Sequence, residues 1–180
     1  MVIGVTDISL VSLKDRFMEL ILAPSQYTEM LWIAIPLALT LFLTELYFSR
    51  YKSEELGWNS AYGNALVLIF VSLDIFRYLY NNNLLETLTI KLALAFAVAI
   101  MAVLLTLVNF LHIIPEKMAY GLSSKLPMNF IAYISLILIY SSIPIDLLTI
   151  ICSATFLIII SLILIILRSI IPSKVEEVIY

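Results

Sequence analysis

Five apolar stretches, each about as long as a helix that crosses a bilayer, occupy most of residues 30–168. A hydrocarbon core of about 30 Å is spanned by about 20 helical residues. The predicted spans are 30–49, 61–80, 88–112, 126–143 and 146–167. Because the hydrophobic runs occupy most of the 180 residues, the remainder is too short to form a second, soluble core. We therefore expect an all-α, polytopic helical bundle with one membrane domain over residues 29–170.

Residues 7–23 show a different pattern. On a helical wheel, one arc gathers the apolar side chains Leu10, Leu13, Phe17, Leu20 and Ile21. The opposite arc carries Ser9, Ser12, Asp15, Arg16 and Glu19. This predicts an amphipathic helix within an N-terminal segment, residues 1–28, that lies in the membrane interface and is broken by Pro24. The alternative is a helix that packs against the bundle itself.

The positions of lysine and arginine predict how the chain is oriented. Two loops and the C-terminal end carry the basic pairs Arg50 and Lys52, Lys117 and Lys125, and Arg168 and Lys174. The opposite loops, 81–87 and 141–145, contain neither lysine nor arginine. Short cytoplasmic loops are enriched in these residues. We therefore expect a multi-pass protein of the cell membrane whose basic loops lie in the cytoplasm. Its N-terminus would lie outside, and residues 171–180 would form a short cytoplasmic tail, although Lys14 and Arg16 run against this rule.

The few strongly polar residues of the spans fall into two predicted layers. The inner polar layer contains Glu45, Asn64, Asn109, His112 and Asn129. The outer polar layer contains Asp74, Arg77, Lys91 and Asp146. Between them only hydroxyl groups and the Cys152 thiol remain, so no ionisable carboxylate or amine is expected at the midplane. Asp74 and Arg77, three residues apart on one helix, are predicted to pair.

No recognisable reaction motif accompanies these residues. His112 and Glu45 could exchange a proton if the first and third spans were neighbours. One histidine falls short of the three or four ligands of a zinc site, and the isolated glycines form no phosphate-binding loop. The sequence thus predicts no catalytic residue, no metal and no cofactor. Because no run of basic residues is present, nucleic acid is not expected as a partner.

The third span carries small side chains, Ala95, Ala99 and Ala102, on one face. Small residues let two membrane helices approach closely, so this span is predicted to be the central one.

Three functions are compatible with the pattern. The preferred one is a non-enzymatic interaction or assembly subunit, with the lipid bilayer and a membrane protein or a second copy as partners. The alternative is a small transporter or channel component whose polar pathway runs from Glu45 and His112 toward Asp74. A third is a lipid-modifying enzyme with His112 in an open inner cleft. A water-accessible cavity joining the two layers would favour transport, and an interior sealed by apolar packing would favour the subunit.

Overall fold

The computed structural model describes residues 10–52, 57–86 and 88–172. Residues 7–9 of the predicted amphipathic segment, and the tail from residue 173, lie outside the described part. The regular elements are α1 (Leu10–Gln26), a short 3-10 turn (Thr28–Met30), α2 (Leu31–Arg50), α3 (Trp58–Asn81), α4 (Ile90–Phe110), α5 (Glu116–Leu122), α6 (Lys125–Tyr140) and α7 (Leu147–Ile170).

Five of these helices, α2, α3, α4, α6 and α7, are long and apolar enough to cross a membrane. The predicted all-helical architecture with five such helices is therefore confirmed at this level. Individual ends differ from the prediction by a few residues, for reasons visible locally. The helix α4 starts after Thr89, whose side chain accepts a hydrogen bond from Leu92 N–H. It ends before His112, which has a positive φ of 51° that terminates helical geometry.

The region between α4 and α6 contains a helix that the sequence pattern did not predict. The seven-residue α5 follows Pro115, a residue suited to the start of a helix. Lys125 is then the first residue of α6 rather than part of a loop, and Pro127 lies in the first turn as predicted. As a consequence Lys125 is buried and not exposed at a loop tip.

The helix α1 packs mainly against α7. Leu20 and Ala23 are fully buried, and the Phe17 ring meets the Phe156 ring edge-on with centroids 6.1 Å apart. The Cys152 thiol donates to the Leu13 carbonyl at 3.5 Å. The observed packing of α1 agrees with the alternative interpretation, a helix that packs against the bundle. Contact of this helix with a membrane interface stays a prediction. The helix also continues through Pro24 to Gln26, so a break at Pro24 is not observed.

The most buried helix is α6 and not α4. The buried share of the spans is 56% for the one containing α6, 28% for α4 and 11% for α7. Ala95 and Ala102 of α4 are fully buried, and α3 is the helix that α4 contacts most. The opposite face of α4 remains exposed, so the prediction that the third span is central is wrong. The central position belongs to α6, which contacts α2, α3 and α4.

Apolar side chains fill the interior between the two ends of the bundle. The fully or almost fully buried ones from α3, α4 and α6 include Leu68, Val71, Ile75, Ala95, Val98, Ala102, Ala132, Leu136 and Ile139. Ser72 and Ser135 are also buried there, and each hydroxyl donates to a carbonyl of its own helix. This packing separates the polar residues into two groups, one at each end of the bundle. We name the end that contains Glu45 the Glu45 end, and the end that contains Asp74 the Asp74 end.

Candidate functional site

Glu45 lies at the centre of a buried ion cluster at its end of the bundle. Its side chain is 1% exposed, and Lys125 Nζ lies 2.8 Å from Glu45 Oε2. The Arg168 guanidinium donates from Nε to Glu45 Oε1. Three helices, α2, α6 and α7, thus each contribute one charged group. A carboxylate removed from water needs such compensation, because an unpaired buried charge costs several kcal/mol.

The surroundings of Lys125 stabilise its charge further. Its side chain is only 8% exposed, and the ammonium lies 4.9 Å from the centre of the Phe48 ring. A cation over an aromatic face is attracted by the ring quadrupole. Arg168 is 40% exposed, so this member of the cluster reaches the surface.

Two of the predicted inner asparagines hold the segment between α5 and α6. Asn109 donates to the Ala61 carbonyl at 3.1 Å and to the Ser123 hydroxyl at 2.9 Å. Asn64 donates to the Ser123 carbonyl at 2.8 Å. Ser123 therefore links α3 and α4 to the start of α6. These contacts favour a structural role in fixing the turn that delivers Lys125 to Glu45.

Asn129 differs from Asn64 and Asn109, because its hydrogen bond lies within its own helix. Its amide donates to the Lys125 carbonyl one turn earlier, at 2.7 Å. Its side-chain carbonyl is buried and has no hydrogen-bond partner among the described residues. A buried acceptor without a donor is uncommon and requires an explanation.

His112 does not pair with Glu45. It is exposed just beyond α4, and its ring packs on Trp58 with centroids 4.2 Å apart. Gly57, next to Trp58, has a φ of 135°, a conformation that favours glycine. The carboxylate that was the expected partner of His112 is occupied by Lys125 and Arg168 instead. Across the described ranges, no group of three His, Cys, Asp or Glu residues could hold a metal ion.

At the opposite end, Asp74 is held by its own helix and by α6. Arg77 donates to Asp74 Oδ1 from Nε at 2.9 Å and from Nη2 at 2.6 Å, as the i,i+3 spacing predicts. The Tyr140 hydroxyl donates to Asp74 Oδ2 at 2.7 Å, and its ring stacks on Tyr78 with centroids 3.8 Å apart. Asp74 is thus tied to the end of α6 through Tyr140.

Lys91 and Asp146 stabilise helix ends near Asp74. Lys91 Nζ donates to the carbonyls of Ile139 at 3.2 Å and Ser141 at 2.5 Å, where α6 leaves carbonyls without helical partners. Positive charge at a helix C-terminus also complements the helix dipole. Asp146 caps α7 by accepting from Thr149 N–H at 2.8 Å.

Asp146 also connects α7 to α1. Arg16 Nη2 lies 3.7 Å from Asp146 Oδ2, and Arg16 Nη1 donates to the Thr149 hydroxyl at 3.3 Å. Partial burial opposes ionisation of Asp146. The hydrogen bonds from Thr149 and the charge of Arg16 outweigh it and hold the pKa of this carboxyl below its usual value.

Several residues of these clusters were not singled out by the sequence pattern. Lys125 and Arg168 were used only to predict orientation, and Arg16 was assigned only to the polar arc of the N-terminal helix. Neither Ser123 nor Tyr140 was predicted to belong to a polar layer. One signal was present for the two cations. A glutamate within an apolar span needs counter-charges, and Lys125 and Arg168 lie near the ends of spans predicted to finish on the same side.

Comparison with known proteins adds no functional assignment. No protein family model, no curated protein and no solved structure matches this chain.

Proposed function

We propose that this chain is a multi-pass membrane protein that works as a non-enzymatic interaction or assembly subunit. The outward surfaces of its five long helices support insertion. On α7 the exposed large apolar side chains include Ile158, Leu162, Ile163, Ile165 and Ile166. A continuous apolar surface of this kind is stable against lipid and unfavourable in water.

The observation that carries the assembly role is the sparse packing of α7. Its buried residues are Leu148, Thr149, Cys152 and Ser153, all in the half next to Asp146. Beyond Ser153 the contacts described between this helix and the bundle include the Phe156 ring, which meets the rings of Phe17, Phe130 and Tyr133, and the Arg168 contact with Glu45. Association of membrane helices depends on side-chain packing between them. A helix that makes few such contacts within its own chain is suited to pack against another membrane helix.

Site-specific photo-crosslinking in the membrane tests this role. A photo-reactive residue at Ile158, Leu162 or Ile165 of α7 should give an adduct of discrete mass with a second copy or with another membrane protein. Matched positions on the exposed face of α4, Ile100 and Leu104, should give lipid adducts only, because α4 is already held in the bundle by its packing on α3 and α6. Mass spectrometry identifies the adducts. Lipid adducts alone from both helices would contradict the proposal.

The proposed orientation places the Glu45 end in the cytoplasm. The basic residues Arg50, Lys52 and Lys117 lie at the ends of α2 and α5 on that side, and the tail is predicted to be cytoplasmic. In a Cys152→Ala background, Lys52→Cys and Lys117→Cys should react with a membrane-impermeant maleimide only after the cytoplasmic face is opened. Asn82→Cys should react in intact cells. Labelling of Asn82→Cys and Lys117→Cys from the same side would contradict the five-span orientation.

The alternative function is a small transporter or channel with a pathway from Glu45 and His112 toward Asp74. Three observations weigh against it. Glu45 and Asp74 each bind a cation at their own end of the bundle, and the His112 ring packs on Trp58. The interior between the two carboxylates is filled by Leu68, Ile75, Leu136 and their neighbours. The lipid-modifying alternative is supported only by the exposure of His112.

A further inference from the structure

A cavity of about 230 Å³ lies where α2, α6 and α7 meet. Its wall is mostly apolar, with leucine and isoleucine side chains contributed by these three helices. Among the described residues that line it, only Asn129 and Tyr133 carry a polar side-chain group, and none is charged. Ala38 also lines the cavity and is exposed, so the cavity opens on the outer surface of the bundle. These properties suit a neutral, largely apolar molecule that enters from the membrane.

Asn129 lacks a hydrogen-bond donor for its side-chain oxygen. The residue is 3% exposed, and its Oδ1 atom has no partner among the described residues. Its Nδ2 atom is already held by the Lys125 carbonyl at 2.7 Å. Because the terminal torsion of asparagine is soft, Oδ1 can turn toward a donor inside the cavity. A buried acceptor without a donor is costly, so a ligand of this cavity should carry an O–H or N–H group.

Aromatic rings form one side of the cavity. Phe156 of α7 lies among them, with its ring centroid 6.3 Å from that of Phe130 and 5.9 Å from that of Tyr133. Aromatic rings attract one another in offset and edge-to-face arrangements. In another protein an apolar cavity of about 150 Å³ binds benzene, so 230 Å³ leaves room for a substituted ring. The cavity therefore has the size and the wall that an aromatic ligand needs.

A water molecule is the simplest donor for Asn129, but the cavity suits it poorly. A buried water is held by about two to four polar partners. This cavity provides few of them, and a single water would leave most of the apolar volume empty. A ring that carries a hydroxyl group satisfies the asparagine and fills the apolar space together.

We propose that this cavity binds a neutral, membrane-soluble molecule with a phenolic hydroxyl group. The hydroxyl donates to Asn129 Oδ1, and the ring packs against Phe130, Tyr133 and Phe156. A phenol is favoured over an aliphatic alcohol because its O–H is the stronger donor and its ring matches the aromatic wall. The proposal goes beyond the assembly role and rests only on the membrane insertion proposed above, through which the ligand reaches the cavity.

Photolabelling of the full chain in lipid vesicles tests this site. The label is a para-alkylphenol with a diazirine in its alkyl chain, and mass spectrometry locates its adducts. Three unlabelled competitors are compared at matched concentrations in the membrane. They are para-propylphenol, its methyl ether, which lacks the donor, and para-propylcyclohexanol, which lacks the aromatic ring.

Three variants accompany the wild type. Asn129→Leu removes the amide at nearly constant size. Ala38→Trp places a bulky ring at the mouth of the cavity, and Ala97→Trp is the matched control on the exposed face of α4. Size-exclusion profiles and circular dichroism verify that each variant is folded.

We expect adducts on residues that line the cavity, such as Leu41 and Ile160. In the wild type, para-propylphenol should prevent labelling at a concentration about tenfold lower than its methyl ether, the difference expected for one hydrogen bond. It should also be about fivefold more effective than the cyclohexanol, because of the aromatic contacts. Asn129→Leu should abolish the difference between the phenol and its ether. Ala38→Trp should prevent labelling of the cavity, whereas Ala97→Trp should not.

Three results would overturn the proposal. One is equal competition by the phenol and its methyl ether in the wild type, or a preference for the phenol that survives Asn129→Leu. Another is equal competition by the phenol and the cyclohexanol, which would assign the cavity to alcohols in general. The third is the absence of adducts from the cavity, which would leave water as the donor to Asn129.

This result is independent of the assembly role. The ligand measurement follows competition for the cavity, whereas the assembly role is tested by crosslinks from the outward face of α7. Loss of the phenol preference with α7 crosslinks retained would contradict only the ligand site. A phenol preference without protein adducts from α7 would contradict only the assembly role.

Discussion

Replacing Glu45 by glutamine is expected to destabilise the fold by about 3–5 kcal/mol, the cost typical of removing one partner from a buried ion pair. The change keeps the shape of the side chain but leaves the Lys125 ammonium, 8% exposed, without a compensating carboxylate. The measurement is reversible unfolding in mixed micelles, followed by circular dichroism. Glu86→Gln is the matched control, because Glu86 is exposed and the same chemical change there should alter stability by less than about 0.5 kcal/mol.

A second variant separates the charge effect from a packing effect. Lys125→Met retains much of the apolar stem of the lysine and removes its charge. Combining it with Glu45→Gln should recover a large part of the lost stability, because no uncompensated charge would remain deeply buried. Equal stabilities of the Glu45→Gln and Glu86→Gln variants would contradict the claim that the ion cluster around Glu45 stabilises the fold.

Enlarging Ala132 to leucine is expected to cost about 1–3 kcal/mol through overpacking. Ala132 is fully buried on α6, which packs against α2, α3 and α4, so we expect three further carbon atoms to displace neighbouring side chains. The matched control is Ala97→Leu on the exposed face of α4, where the added carbons would meet lipid and stability should change little. The same unfolding assay measures both.

The comparison of these two alanines also tests which helix is central. If α4 occupied the middle of the bundle, its alanines would be the more sensitive to enlargement. A larger loss from Ala97→Leu than from Ala132→Leu would contradict the arrangement around α6.

The five long helices could be predicted from the sequence because their information is local. A run of about 20 apolar residues is sufficient to indicate a span, and caps such as Thr89 and Asp146 lie directly before the helices they stabilise. The i,i+3 pair of Asp74 and Arg77 is local in the same sense. The caps and the ion pair depend on neighbours within one turn, and each span depends on one continuous run of residues.

The arrangement of the helices could not be predicted in the same way. In a span, the faces toward lipid and toward other helices are both apolar, so hydrophobic periodicity does not indicate which face is buried. For this reason the alanines of α4 suggested a central helix, while α6 occupies that position. The partners of Glu45 depend on the same long-range packing, since Lys125 and Arg168 are 80 and 123 residues away in sequence.

The polar end residues illustrate a second limit. His112 was placed in a span because its neighbours are apolar, but its positive φ and its contact with Trp58 put it beyond the end of α4. The short helix α5 is another example. It contains too few residues to give a clear periodic pattern, yet together with Ser123 it determines where Lys125 enters the bundle.

The central claim is that the Glu45 end and the Asp74 end are separated by a dry apolar interior. Proton and monovalent-ion flux in reconstituted vesicles tests it most directly, with the wild type compared to Asp74→Asn. This substitution keeps the shape of the side chain and removes its charge. We predict that neither protein will raise the flux above that of protein-free vesicles. Flux through the wild type that Asp74→Asn abolishes while the fold is retained would contradict the account.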